Sequence, residues 1–252
     1  MVQIQSIILI VYFYPIILLV LSAQLFKHTH PYDPFLLSKA TKLIVGTLPP
    51  PRFTTGELKP QDVDFGYGSC NGQLWTILDS VFALGLKYET TQEAVEQRKR
   101  FLVAHKIGVC DIVQSAEREK INASDLGMQN VVLRNLVGYL QEYPNIQTVL
   151  FMGGNSKNGP EYFFRRQLKA HDLKLKVVSN EVPRIHHLEL PLASDMSVRA
   201  QSRTVKTVSL IAPSGAANRA VGSLQAYKDL KSKNPDFNTL DFRVLQYREF
   251  FE

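Results

Sequence analysis

Five short apolar runs recur along the chain, at 41–46 (TKLIVG), 106–113 (KIGVCDIV), 148–154 (TVLFMGG), 175–179 (LKVVS) and 206–214 (KTVSLIAPS). Most of the intervals carry stretches with helical spacing: Gln73 to Phe82, Thr91 to His105, Asn130 to Gln141, Pro160 to Ala170 and, after the last run, Ala217 to Lys231. Parallel strands need a crossover of a dozen or more residues, usually a helix, whereas antiparallel neighbours can be joined by a tight turn. The alternation therefore predicts an α/β fold, a three-layer α/β/α sandwich around a central, mostly parallel short sheet, with residues 27–252 forming one domain. At 252 residues, 45% hydrophobic and 21% charged, the chain has enough apolar matter for a rigid core, which excludes disorder as its ground state. The polar stretch Ser194 to Thr207 is expected as a surface loop carrying Arg199, Arg203 and Lys206.

The N-terminal 26 residues are of another kind. Ile4 to Phe26 holds no charged residue and is long enough to be a membrane span, with Pro15 as a kink. No basic residue precedes it, and the first positive residue, Lys27, follows it, which places the soluble part in the cytoplasm, membrane-tethered by this segment. The alternative is that residues 1–26 are upstream sequence ahead of a misassigned start. The sequon Asn122-Ala123-Ser124 matters only for a secreted chain. Two cysteines, Cys70 and Cys110, are too few for a four-cysteine zinc site, an iron–sulfur cluster or a disulfide framework, and fit a reducing compartment. A formal net charge of +6 favours a polyanionic partner such as nucleic acid or an anionic membrane.

Ligands of an open parallel sheet sit beyond the carboxyl ends of its strands. The residues just after the apolar runs are Gly46-Thr47-Leu48-Pro49, Asp111, Gly153-Gly154-Asn155 and Pro213-Ser214-Gly215. The loop GYGSCNGQLW, 66–75, descends into a helix and can close over the same edge. Its Asn71 is either the N-cap of that helix or a functional amide, able to accept from water through its oxygen and donate through its NH2. Asp111 likewise reads either as a strand-end residue paired with Arg118 or as a group facing a ligand. Ser214 and Asn218 read as helix caps or as ligand contacts. His28, His30, His186 and His187 lack acidic or cysteine company at ligand spacing, so no metal is implied. GTLPPP and GGNSKNG lack the glycine spacing of phosphate-cradling loops.

The order GTLPPPRF, FGYGSCNGQLW, IGVCDIVQSAERE, LFMGG and LIAPSGAANRA, spread over about residues 40–232, resembles the uracil-DNA glycosylase superfamily. It is most similar to the branch of hypoxanthine-DNA glycosylases, with its G-x-x-P loop, an aromatic-rich loop ending in Asn-x-x-Trp, and a late P-S segment. The resemblance implies a monofunctional DNA glycosylase that hydrolyses the N-glycosidic bond of a deaminated base, uracil or hypoxanthine. It further implies DNA as partner, no cofactor, no metal and a monomer. On the matching positions, Asn71 is the catalytic residue. Thr47, Leu48, Phe65, Tyr67, Asp111 and Asn155 bind the base, with Phe65 and Tyr67 as the stacking platform. Pro49, Pro213, Ser214, Gly215 and Asn218 contact DNA, joined by Arg199 and Arg203 on the charged loop.

The chain departs from that pattern at two places. Asp111 stands where many members read the base with asparagine, and an ionised carboxylate cannot donate to a carbonyl oxygen. Ala212 stands where many members carry the histidine that stabilises the leaving base. The alternatives are a catalytically weak nucleic-acid-binding member of the same fold and a membrane-tethered interaction protein.

Overall fold

The computed structural model of the chain describes residues 25–191 and 202–252. The runs at 41–46 and 148–154 become β2 (Lys42–Val45) and β6 (Thr148–Phe151), following a short β1 (Phe26–Thr29). Leu43, Ile44 and Val45 are fully buried, as are Val149, Leu150 and Phe151, because both strands lie inside the sheet with helices on both faces. Side chains alternate between the two faces. Leu43, Val45, Val149 and Phe151 face α4 (Leu136–Glu142) and α5 (Pro160–Ala170), and pack with Leu140, Phe163, Phe164 and Leu168. Ile44, Leu150 and Val208 face α2 (Leu74–Phe82), α3 (Gln92–Ala104) and α8 (Thr239–Phe251), and pack with Trp75, Leu78, Leu102 and Tyr247.

The main sheet has six strands in the order β3 (Ile107–Val109), β2, β6, β9 (Ser202–Ser209), β8 (Arg184–Pro191), β7 (Leu175–Ser179). The first four are mutually parallel, and β8 runs antiparallel to both of its neighbours, β9 and β7. This is the α/β sandwich with a central, mostly parallel sheet that the alternation of runs predicts. A second, antiparallel sheet of β1, β4 (Val113–Arg118) and β5 (Gln129–Leu133) lies beside it.

Four local expectations are corrected. The run 106–113 divides between the two sheets, because Asp111 turns its carboxylate onto the Gly46 N–H at 2.8 Å and the chain passes from one ladder to the other around it. Asn130 to Gln141 is not one helix: Gln129–Leu133 pairs with β4, and Asn135 starts α4 by accepting from the Gly138 N–H at 2.9 Å. The expected loop at 194–207 is strand from Ser202 onward, with Val205 and Thr207 fully buried between β6 and β8. Ala217 to Lys231 breaks at Leu224, whose extended backbone (ψ 133°) separates α6 (Asn218–Ser223) from α7 (Gln225–Lys233). Among the described residues, no helix is long and apolar enough to cross a membrane. The N-terminal segment lies outside them except for its last two residues, as does Arg199.

Candidate functional site

At the carboxyl ends of β2, β6 and β9 the loops enclose a cavity of about 490 Å³. Its wall is built from segments far apart in sequence: Gly46 to Pro50 with Arg52, Tyr67 to Ser69, Asn71 to Leu74, Asp111, Ala123 with Asp125, Met152, and Ala212 to Ala216. A second cavity of about 460 Å³ adjoins it across Asp125, Met152 and Ala212.

The first loop, after β2, leads through Pro50 and Pro51 into α1 (Pro51–Thr55), whose Arg52 forms a two-pronged pair with Asp62, Nε to Oδ2 at 2.7 Å and Nη2 to Oδ1 at 2.8 Å. Asp62 is fully buried and accepts also from the N–H groups of Cys70 (2.8 Å) and Lys59 (2.9 Å). Burial pushes its carboxyl up, but the Arg52 pair and these N–H groups outweigh it and hold the group below the usual carboxylate range. Arg52 Nη2 also donates to Ser69 Oγ at 2.9 Å, so one ion pair anchors the loop that presents Asn71.

That loop is zipped to the last one. Gly72 bridges to Ser214, and the Gln73 N–H donates to the Pro213 carbonyl at 2.8 Å. Arg243, fully buried on α8, braces the last loop from behind by donating to the carbonyls of Ala212 (3.1 Å) and Ser214 (2.9 Å). Two glycines are dictated by close approach: a Cβ at Gly68 would collide with the Val63 carbonyl, and one at Gly46 with the Tyr67 hydroxyl. Tyr67 itself sits at φ 60°, a left-handed backbone that aims its ring inward.

Asp111 is the hub of the cavity floor. Its Oδ1 accepts from the Gly46 N–H (2.8 Å) and from the Tyr67 hydroxyl (2.6 Å), and its Oδ2 pairs with His30 Nε2 at 3.1 Å. Burial and then the Asp111 charge push the Tyr67 hydroxyl well above its ordinary pKa, so it stays a donor. The pairing expected with Arg118 is not made; that guanidinium donates to His28 Nδ1 at 2.8 Å.

Asn71 lines the cavity and is exposed. It is not the cap of α2: Gln73 occupies the N-cap place and makes no side-chain cap bond. Three residues separate Asn71 from Trp75, one more than in the pattern it resembles, and Gly72, bridged to Ser214, is among them. Thr47, Leu48, Pro49, Tyr67, Asp111, Pro213, Ser214 and Gly215 line the same cavity.

Four of the described predicted residues do not line it. Phe65 lies in the core, its ring 6.0 Å from that of Phe35 and 6.3 Å from that of Trp75. Asn155 is exposed outside the wall, and Asn218 spends its Oδ1 on Arg243 (2.9 Å) and Thr239 (3.1 Å). Arg203 belongs to the opposite end of the sheet. It is the second residue of β9, and its guanidinium donates to the Ile146 (2.5 Å) and Leu140 (2.6 Å) carbonyls, so it tethers the end of α4 rather than reaching for phosphate. Lys206 lies over the Phe250 ring at 5.2 Å.

Sequence reasoning missed four contributors: His30, Asp125, Arg243 and Gln73, whose buried Oε1 has no hydrogen-bond partner among the described residues. Only Gln73 had a local cue, its place two residues after Asn71. His30 meets Asp111 across 81 residues. Among the described residues, no group of three His, Cys, Asp or Glu side chains is arranged to hold a metal ion.

No family model matches the chain, and no curated protein matches it. Among solved structures, it is similar to the solution NMR structure of a protein from Methanosarcina acetivorans provisionally named a uracil DNA glycosylase. The identity is 15% and the TM-score 0.47, over 86% of this chain and 99% of that one.

Proposed function

We propose that this protein is a DNA N-glycosylase, which hydrolyses the bond between a deaminated base and its deoxyribose and leaves the abasic strand uncut. The observation that carries the reading is the convergence of GTLPP, YGSCNGQL, Asp111 and APSGA, the segments on which the resemblance to the glycosylase superfamily rests, on one cavity of about 490 Å³. That volume falls in the range of small-ligand sites, about 300–1,000 Å³. The hypoxanthine-DNA glycosylase branch is the closer comparison, because the amide at Asn71 comes from the aromatic-rich loop.

The reaction passes through an oxocarbenium-like sugar and asks for an extruded base, a positioned water and stabilisation of the departing base, without a protein nucleophile. Asn71 orients the water through its carbonyl and the sugar or base through its NH2. The Tyr67 ring, Leu48 and Met152 supply the apolar wall against which the base rests. Asp111 holds Tyr67 and the Gly46 turn in place; with three donors already on its carboxylate, it has little left for reading a base. That job falls to the unpartnered Gln73 amide. Among the described residues no lysine lines the cavity, in keeping with hydrolysis by water rather than Schiff-base chemistry. The net charge of +6 suits a DNA partner.

The test is incubation with oligonucleotides carrying uracil, hypoxanthine, xanthine or mismatched thymine, with abasic sites read out by alkaline cleavage. Release of one of these bases by the parent, but not by an Asn71→Ala variant that still binds DNA, supports the proposal. Folded protein that leaves every substrate intact overturns it.

A further inference from the structure

Among the described residues, the ionisable side chains in the cavity wall are Arg52, Tyr67, Asp111 and Asp125. Three are committed elsewhere. Arg52 is locked to Asp62, the Tyr67 proton is held by Asp111, and Asp111 accepts from Gly46 and Tyr67 while pairing with His30. Asp125 is different: Thr47 donates to its Oδ1 at 2.8 Å, and its Oδ2 makes no hydrogen bond among the described residues. It opens the turn Asp125–Gly127, which Asn158 pins by donating its Nδ2 to the Asp125 (2.9 Å) and Met128 (3.1 Å) carbonyls. Together with Ala212 and Met152 it forms the partition between the two cavities.

We infer that Asp125 is the catalytic proton donor to the departing base, an inference that rests on the glycosylase reading. The bond between C1′ and the base nitrogen breaks with its electron pair passing to the base, and the Asp125 carboxyl proton moves to the base, which leaves neutral. The new carboxylate then faces the cationic sugar. Water adds through its oxygen to C1′, and the proton it loses returns to Asp125, so the enzyme is restored and no co-reactant is needed.

The surroundings suit a carboxylic acid. Burial pushes Asp125 up to about 6; the Thr47 hydrogen bond and the Arg118 charge pull it down, and the Asp111 charge pushes it up again. Arg118 is engaged with His28 and the Ser124 carbonyl, and Arg184, across the second cavity, with Glu161. The donor form is present below about pH 6 and falls tenfold per unit above it. A donated proton matters most for a purine, which leaves readily once protonated on a ring nitrogen away from the glycosidic bond, so the acid dependence should be steeper on hypoxanthine than on uracil.

The experiment is a pH series of single-turnover base release from uracil and hypoxanthine oligonucleotides by the full chain, Asp125→Asn and Thr47→Val. The inference expects parent activity that falls above about pH 6, a loss on the order of 10²-fold in Asp125→Asn at low pH together with the disappearance of that limb, and intact binding to an uncleavable analogue. In Thr47→Val, which removes a hydrogen bond to the ionised form, the limb should move to higher pH. An unchanged limb in Asp125→Asn, or parent activity that rises with pH through the same group, overturns the donor role while base release itself still upholds the glycosylase reading. No base release by the parent at any pH overturns both.

Discussion

Replacing Asp62 by asparagine should loosen the loop that presents Asn71 and destabilise the whole domain. The carboxylate is fully buried and receives four donors: Arg52 Nε and Nη2, and the N–H groups of Cys70 and Lys59. Asparagine keeps one acceptor oxygen and turns an NH2 toward donors, so the Arg52 guanidinium is left without its counter-charge. Removing one partner of a buried ion pair costs about 3–5 kcal/mol. The Arg52 side chain keeps 17% exposure, which gives it some access to water and sets the expectation at the lower end, about 3 kcal/mol. For a domain of this size that is roughly 6–12 °C in Tm. Because the folded pKa of Asp62 is depressed, its contribution is present above the unfolded value near 4 and is lost as pH falls toward the folded one. Urea melts at pH 7 and pH 3 should therefore show a large gap between parent and variant at pH 7 and a smaller one at pH 3. Arg52→Met combined with Asp62→Leu should recover part of the stability, since apolar replacement removes both charges. A variant within about 0.5 kcal/mol of the parent at pH 7 would refute the claim that this pair anchors the loop.

Asn71→Ala and Asn71→Asp should lower base release on the order of 10²-fold with DNA affinity nearly unchanged, because the amide acts in the transition state; near-normal turnover by both would remove it from the mechanism. Asp111→Asn should cost about 1–3 kcal/mol of stability through lost donors, while leaving the ratio of uracil to hypoxanthine release close to that of the parent. Gln73→Ala should change that ratio, and competition between the two oligonucleotides would expose a wrong assignment. Arg203→Ala should lower the melting temperature yet leave the salt dependence of duplex binding as it was; a shallower slope of affinity against salt would return Arg203 to the DNA interface.

The layered fold was legible in the sequence because its central strands obey local rules. LIV at 43–45 and VLF at 149–151 are apolar throughout, as strands buried on both faces must be, and Pro160 to Ala170 carries both its N-terminal proline and its helical spacing. Once the strands were placed, the rule that ligands lie beyond their carboxyl ends was enough to gather Thr47, Asp111 and Ser214 around one cavity. Periodicity is silent where a choice depends on a partner distant in sequence. NVVL at 130–133 fits a helix or a strand equally well until β4 is there to pair with it. Arg203 looked like a phosphate ligand because its charge is visible in the sequence, while the carbonyls of Leu140 and Ile146 that use it are not. Asp125 lies in a polar loop like any other, and only the folded loops around its turn desolvate its carboxyl and raise its proton affinity, against the opposing Thr47 hydrogen bond. Secondary structure follows from interactions a few residues apart, whereas the ionisation and hydrogen-bonding state of a side chain follows from desolvation and from partners such as His30, 81 residues from Asp111, which only the folded chain brings together.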